Sequence, residues 1–342
     1  MIFSKTDNQS NSNCLSLIRL IAALQVFCGH LFVHFQLPVS EQVNYSIYFL
    51  RGVPIFFVIS GYLIWFSILR SKNYIQYIKK RFLRIYPELW VAVLVEITVL
   101  VVLYKGWKIK DILLFSIAQA TLFQFWTPDS LRAYGVGTPN GALWTIGVMI
   151  QFYIVAWLFY KIMKNCKIVI WIIGFATSFF ASWLVDYVIT NIFGSGVLEK
   201  IYNQSFIKYF WLFYIGMFIA KFNEAIIPVL KKYWIIFILL SLVFFVSRFD
   251  VLSGYYLFWS LFLVLGLIGF AFKFPNLHLK YDISYGLFLY HMTVVNVFVN
   301  FGLIGKWLLV IPVVIISVVL ALLSTITIGK ISSKLKKQTA IK

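Results

Sequence analysis

The sequence predicts an all-α, polytopic membrane protein with about ten transmembrane helices and both termini in the cytoplasm. Three observations predict it. Of 342 residues, 62% are hydrophobic and only 12% charged, whereas an ordinary globular surface needs about a quarter of its residues charged. The apolar residues gather in runs close to the length of about 20 that crosses a bilayer. The net charge of +19, from 30 Lys and Arg against 11 Asp and Glu, falls in alternate loops, as the positive-inside rule requires. Together these exclude a soluble domain and a disordered chain, and they leave nucleic acid without support as the partner of the charge.

The elements follow in order. Residues 1–13, Asn- and Ser-rich at 7–13, read as a disordered cytoplasmic tail. A single transmembrane domain covers 14–330, with spans at 14–36, 46–69, 88–104, 142–163, 167–189, 206–221, 232–247, 255–273, 281–301 and 306–329. The run 111–126 is short and holds Gln119 and Gln124, so it reads as re-entrant or interfacial. Residues 331–342 form a basic tail. A loop at 70–87 carries Arg70, Lys72, Lys79, Lys80, Arg81 and Arg84, and further lysines follow the fourth, sixth and eighth spans. This places 20 positive residues on the cytoplasmic side and seven on the other, with Arg19, Arg51 and Lys208 within or beside spans. The first apolar run lacks a small-residue cleavage site. Cys14, Cys28 and Cys166 show neither ligand spacing nor a disulfide framework.

Polar groups inside spans are expensive and mark candidate function. Arg19 and His30 in the first span are eleven residues apart. That is three turns plus roughly 20°, so one helix face carries both, about 16 Å apart along the axis. Arg19 also reads as an arginine snorkelling to the inner surface. His34 follows one turn after His30. A His-x3-His pair can bind metal, but no third ligand accompanies it and no metal is expected. Pro54 should kink the second span, and Ser60 with Gly61 lets helices approach closely. Glu96, near mid-bilayer, must be protonated or paired. The ninth span carries Asp282, Tyr285, Tyr290 and His291, and His291 reads equally as a satisfied core histidine. No P-loop, Rossmann glycine pattern, zinc spacing or Gly-x-Ser-x-Gly elbow is present.

Taken together, these residues resemble the acyltransferase-3 family of integral membrane acyltransferases. Arg19-x10-His30 looks like its Arg/Lys-x10-His motif. Gly52-Val53-Pro54-Ile55-Phe56-Phe57-Val58-Ile59-Ser60-Gly61-Tyr62 is similar to its Phe-Phe-x-x-Ser-Gly segment. Lys80-Arg81-Phe82-Leu83-Arg84-Ile85-Tyr86-Pro87 resembles its Arg-Ile-Tyr-Pro loop. Trp144-Thr145-Ile146-x-Val148-x-x-Gln151-Phe152-Tyr153 and Ile283-Ser284-Tyr285 through Tyr290-His291 resemble the fourth-span and late-span motifs. One departure stands out: the family's acid two residues before the Gln is Met149 here. Either that role is dispensable, or Glu96 or another group covers it, or the chemistry is weakened.

The resemblance implies transfer of an acyl group, most often acetyl, from cytoplasmic acyl-CoA (acetyl-CoA) to a hydroxyl of an extracytoplasmic cell-surface glycan such as lipopolysaccharide O-antigen. The acceptor would be a polysaccharide or lipid-linked glycan, and the setting a bacterial inner membrane and its lipids. His30 is the candidate base, an imidazole with an ordinary pKa near 6.5. Arg19 suits an acyl-CoA phosphate or carbonyl. Arg81, Arg84 and Tyr86 suit the nucleotide phosphates. Ser60, Glu96, Trp144, Gln151, Tyr153, Tyr285 and His291 are further candidates. A proton-coupled transporter is the alternative, although no paired broken helices mark two halves.

Overall fold

The computed structural model describes residues 13–194, 196–247, 255–279, 281–332 and 334–335. Most of both predicted tails, and with them Lys5, Lys336, Lys337 and Lys342, lie outside the described residues, as do Arg248 and Lys280. The fold is all-helical, with no strand among the described residues. Its helices are α1 (Leu15–Phe35), α2 (Glu41–Ile47), α3 (Gly52–Leu69), α4 (Tyr74–Leu103), α5 (Ile109–Ala120), α6 (Trp144–Met163), α7 (Ile168–Val188), α8 (Val197–Asn203), α9 (Phe206–Lys221), α10 (Asn223–Ser247), α11 (Tyr255–Lys273), α12 (Ser284–Asn300) and α13 (Val310–Ser324).

Every predicted span falls on a helix, but among the described residues only eight helical stretches are long and apolar enough to cross a membrane. The two that fall short are α9, with 16 residues, and α12, with 17. At 1.5 Å per residue they reach about 24–26 Å. Most residues of both are buried in protein, so neither is matched to lipid over its whole length. The multi-pass membrane character stands, while a count of ten full spans does not follow. Helix α5 has 12 residues, about 18 Å, well short of the roughly 30 Å hydrocarbon core.

Three local expectations are corrected. The basic stretch 70–87 is not a loop. Asn73 caps α4, its side chain accepting from Gln76 N at 2.9 Å, and the helix runs unbroken from Tyr74 through Pro87 to Leu103. An apolar window ends at the charges, but backbone helicity does not. The turn assigned after the sixth span is likewise helical from Asn223, and α10 breaks its geometry only at Tyr233. Pro54 does not kink its span: α3 starts at Gly52, so Pro54 sits in a first turn whose N–H groups have no intrahelical partner.

The chain divides into two compact units. One comprises residues 1–22, 49–70 and 151–282. Its core is aromatic. Trp171, fully buried, meets Trp65, Phe159, Tyr214 and Phe218 at 5.4–5.9 Å between ring centroids. Helices α3 and α9 cross at Gly61 and Gly216, each glycine pressed on the other helix's backbone. The second unit comprises residues 23–48, 71–150 and 283–342. Leu100, Ile112, Phe115, Leu131 and Tyr134 form a buried cluster there, and α12 packs on α13 where Gly286 meets Ala321.

Candidate active site

The second unit gathers three of the four histidines. His30 and His34, one helical turn apart on α1, stack at 5.6 Å with planes 12° apart. The His291 ring of α12 lies 5.4 Å from that of His30. The Phe27 ring, one turn before His30, lies 5.5 Å from that of His291. His30 is half-buried, whereas His291 is fully enclosed. The Nδ1 of His291 lies 3.0 Å from the carbonyl oxygen of Leu287. A carbonyl only accepts, so Nδ1 carries the proton and Nε2 presents a lone pair. That Nε2 is buried and bonds to no protein group among the described residues.

The loop before α6 holds α12 in place. Asn296 accepts from Val136 N at 2.8 Å and donates to the carbonyls of Thr138 at 3.1 Å and Pro139 at 2.7 Å. Asn140 donates to Leu289 O at 2.9 Å, next to His291. The loop can approach this closely because Gly135 has φ +55° and no Cβ, which would sit 2.1 Å from Asn296 Oδ1. Neither asparagine was singled out from the sequence. The signal was there for Asn296, an amide in an otherwise apolar span.

On α4, Arg81 and Arg84 are half-buried, one turn apart. Tyr285 of α12 donates to the Ile85 carbonyl at 3.0 Å, which ties the late-span segment to the Arg-Ile-Tyr-Pro segment. Tyr86 donates to Thr121 O at 3.4 Å and Trp90 to Ala120 O at 3.0 Å. These bonds satisfy the end of α5, where a helix leaves its last carbonyls without partners. The turn that follows is closed by Gln119 and Gln124, each amide donating to the other's backbone carbonyl. Glu96 is buried, and neither of its oxygens bonds to a protein group among the described residues. Burial, reinforced by the Glu96 carboxyl, holds the Tyr134 phenol well above its ordinary range. A second buried acid, Glu88, accepts from Ser324 at 3.3 Å. It lies one residue after the Arg-Ile-Tyr-Pro run, where the sequence read as the edge of a loop. Trp144, half-buried, begins α6, and Met149 sits half-buried on the same helix.

The remaining candidates lie in the other unit. Arg19 forms an ion pair with Asp282, a partner the sequence named but did not connect. Gln151 donates to Gln204 O at 3.0 Å and accepts from Phe206 N at 3.0 Å, so its amide fastens the junction of α8 and α9. Tyr153 is buried beside it in sequence, and Ser60 is half-buried ahead of Gly61. Among the described residues no three His, Cys, Asp or Glu side chains are grouped to hold a metal ion.

The three-histidine cluster, the buried acid and the half-buried arginines can move a proton and hold an anion. Comparison with known proteins gives that arrangement a context. Residues 12–327 match the acyltransferase-3 family, described as an acyltransferase domain. The chain is 28% identical to "Nodulation protein 10" of Rhizobium leguminosarum bv. viciae, over 97% of this chain and 96% of that protein. It is 31% identical to "O-acetyl transferase" of Shigella phage Sf6, over 46% of this chain and 48% of that protein. No solved structure matches.

Proposed function

Because the chain belongs to the acyltransferase-3 family and is a membrane O-acyltransferase, we propose that it moves an acetyl group from cytoplasmic acetyl-CoA to a hydroxyl of a cell-surface glycan, in the inner membrane of a bacterium with both termini in the cytoplasm. The observation that carries this reading is the half-buried His30 ring set between His34 and His291. The name of the phage relative supports acetyl as the group transferred. The 20-to-seven asymmetry of positive residues supports the orientation.

The chain's own groups divide the work. His30 takes the proton of the acceptor hydroxyl as its oxygen bonds to the acyl carbon, and returns that proton to the departing sulfur. His291 is a positioning residue, its ring 5.4 Å from that of His30. Arg81 and Arg84 hold phosphates. Two guanidinium groups one turn apart suit that anion, and half-burial strengthens each contact. Acetyl-CoA, when bound, supplies an activated thioester. Arg19 enters as a donor-side cation whose orientation Asp282 fixes.

The test is transfer of labelled acetyl from acetyl-CoA to the strain's own surface glycan by the purified protein in proteoliposomes, with solute uptake measured in parallel. Labelled glycan is expected. Uptake without any transfer would overturn the proposal.

A further inference from the structure

The sequence places three cations within or beside spans, and all three belong to the first unit. Two of them have an acid. Arg19 pairs with Asp282, and Lys208 Nζ lies 2.7 Å from Asp186 and 2.7 Å from Asn203 Oδ1. Arg51 pairs with no acid among the described residues. Its guanidinium lies on rings instead, the central carbon 3.9 Å from the centre of the Tyr256 ring and 5.1 Å from that of Trp259. Trp259 is buried and fixed. Its Nε1 donates to Phe49 O at 3.1 Å, and its ring is 4.7 Å from that of Phe245.

An arginine that only snorkels keeps its head in water. Arg51 is half-buried on its aromatic seat. Ring contact attracts the charge but uses none of the N–H groups, which point outward in the guanidinium plane. A partly desolvated cation with its donors unspent calls for an anion.

The surroundings say which anion. Arg51 stands just ahead of α3, at the end opposite Arg70, Lys221 and Lys273, which mark the last turns of α3, α9 and α11. Beside it an apolar face begins. Phe245 of α10 meets both Phe49, at 5.3 Å, and Trp259, and around it Leu242, Val243 and Val246 are exposed.

We infer that Arg51 binds the headgroup phosphate of a membrane phospholipid whose acyl chains lie along this face of α10. The guanidinium fork matches two phosphate oxygens, and basic sites between membrane helices take lipid headgroups in this way. A soluble phosphate ester would leave the α10 face unused, and a sugar hydroxyl would not neutralise the charge. The site needs nothing from the acetyl-transfer reaction.

The test uses the full-length protein in phosphatidylcholine nanodiscs. The probe is phosphatidylglycerol with a photoreactive diazirine on one acyl chain, added at low mole fraction, and labelled peptides are read by mass spectrometry. Label is expected on residues 242–246. In Arg51→Gln it should fall about tenfold, the loss of one charge-assisted fork, while label on the rest of the chain stays as in the parent. Arg51→Lys keeps the charge without the fork and should fall between the two. Tyr256→Phe keeps the ring and should label like the parent. Excess inorganic phosphate should not displace the probe. Parental label on residues 242–246 in Arg51→Gln would overturn the site, and displacement by inorganic phosphate would assign it to a soluble anion instead. Asp250 lies outside the described residues, and Asp250→Asn should change nothing. A gain of label in that variant would mean that its carboxylate, not a phosphate, holds Arg51.

Discussion

Replacing Gly61 by alanine tests how tightly the first unit is built. The Cβ would lie 2.2 Å from Phe213 O and 3.2 Å from Met217 N, all backbone atoms of α9. An ordinary carbon–oxygen contact needs about 3.3 Å, so α3 and α9 must part by about 1 Å. No flexible side chain can give way instead. Gly216 faces the same crossing from the other side, its own Cβ 2.1 Å from Val58 O. Parting the helices also loosens rings packed across the seam, Phe57 against Tyr209 at 5.2 Å among them. Overpacking of this kind costs about 1–3 kcal/mol, which lowers the melting temperature by about 2–6 °C. The assay is thermal unfolding of purified Gly61→Ala, Gly216→Ala and the double variant. Once one alanine has parted the helices, the second meets a seam already open, so the double variant should lose clearly less than the sum of the two. Unchanged melting of Gly61→Ala would refute the crossing, and strict additivity would refute the shared seam.

His291→Ala should lower kcat by about 10²-fold with the KM for acetyl-CoA unchanged. His291→Phe, which keeps a ring but no Nε2, should not restore it, and full activity of the Phe variant would show that only packing matters. Asn296→Leu strands the backbone groups of Val136, Thr138 and Pro139, and should destabilise by about 2–3 kcal/mol in a thermal melt. Arg19→Ala, Asp282→Ala and the double variant should give a coupling of ~1–3 kcal/mol in unfolding measurements. A coupling near zero would mean the pair does not hold the start of α1.

Helices were legible because twenty-residue apolar runs have few alternatives in lipid. Their ends were less so. The helicity of Tyr74–Pro87 was hidden by its own lysines and arginines, since charge ends an apolar run without ending a helix. The effect of Pro54 depends on where the helix starts, and that is set at Arg51, which leaves helical geometry. Individual candidates stand out by cost alone: Arg19, His30, Glu96 and His291 are groups that are expensive inside a membrane. Their partners do not. That Arg19 meets Asp282, and His30 meets His291, depends on which helices become neighbours across more than 250 residues of chain. Gln151 adds a bond network its motif does not announce: one N–H and the carbonyl oxygen of its amide bind backbone groups of the α8–α9 junction. Asn140 and Asn296 stand out little in composition because an amide carries no charge, although together they fix the loop that braces α12.

The central claim is that His30 is the base of an acetyl transfer. The direct measurement is the rate of labelled acetyl transfer to the surface glycan by His30→Ala in proteoliposomes, beside the parent protein at equal inserted amounts. Loss of transfer by a factor of about 10³ or more, with melting and acetyl-CoA binding retained, is the predicted result. Transfer at the parental rate would contradict it.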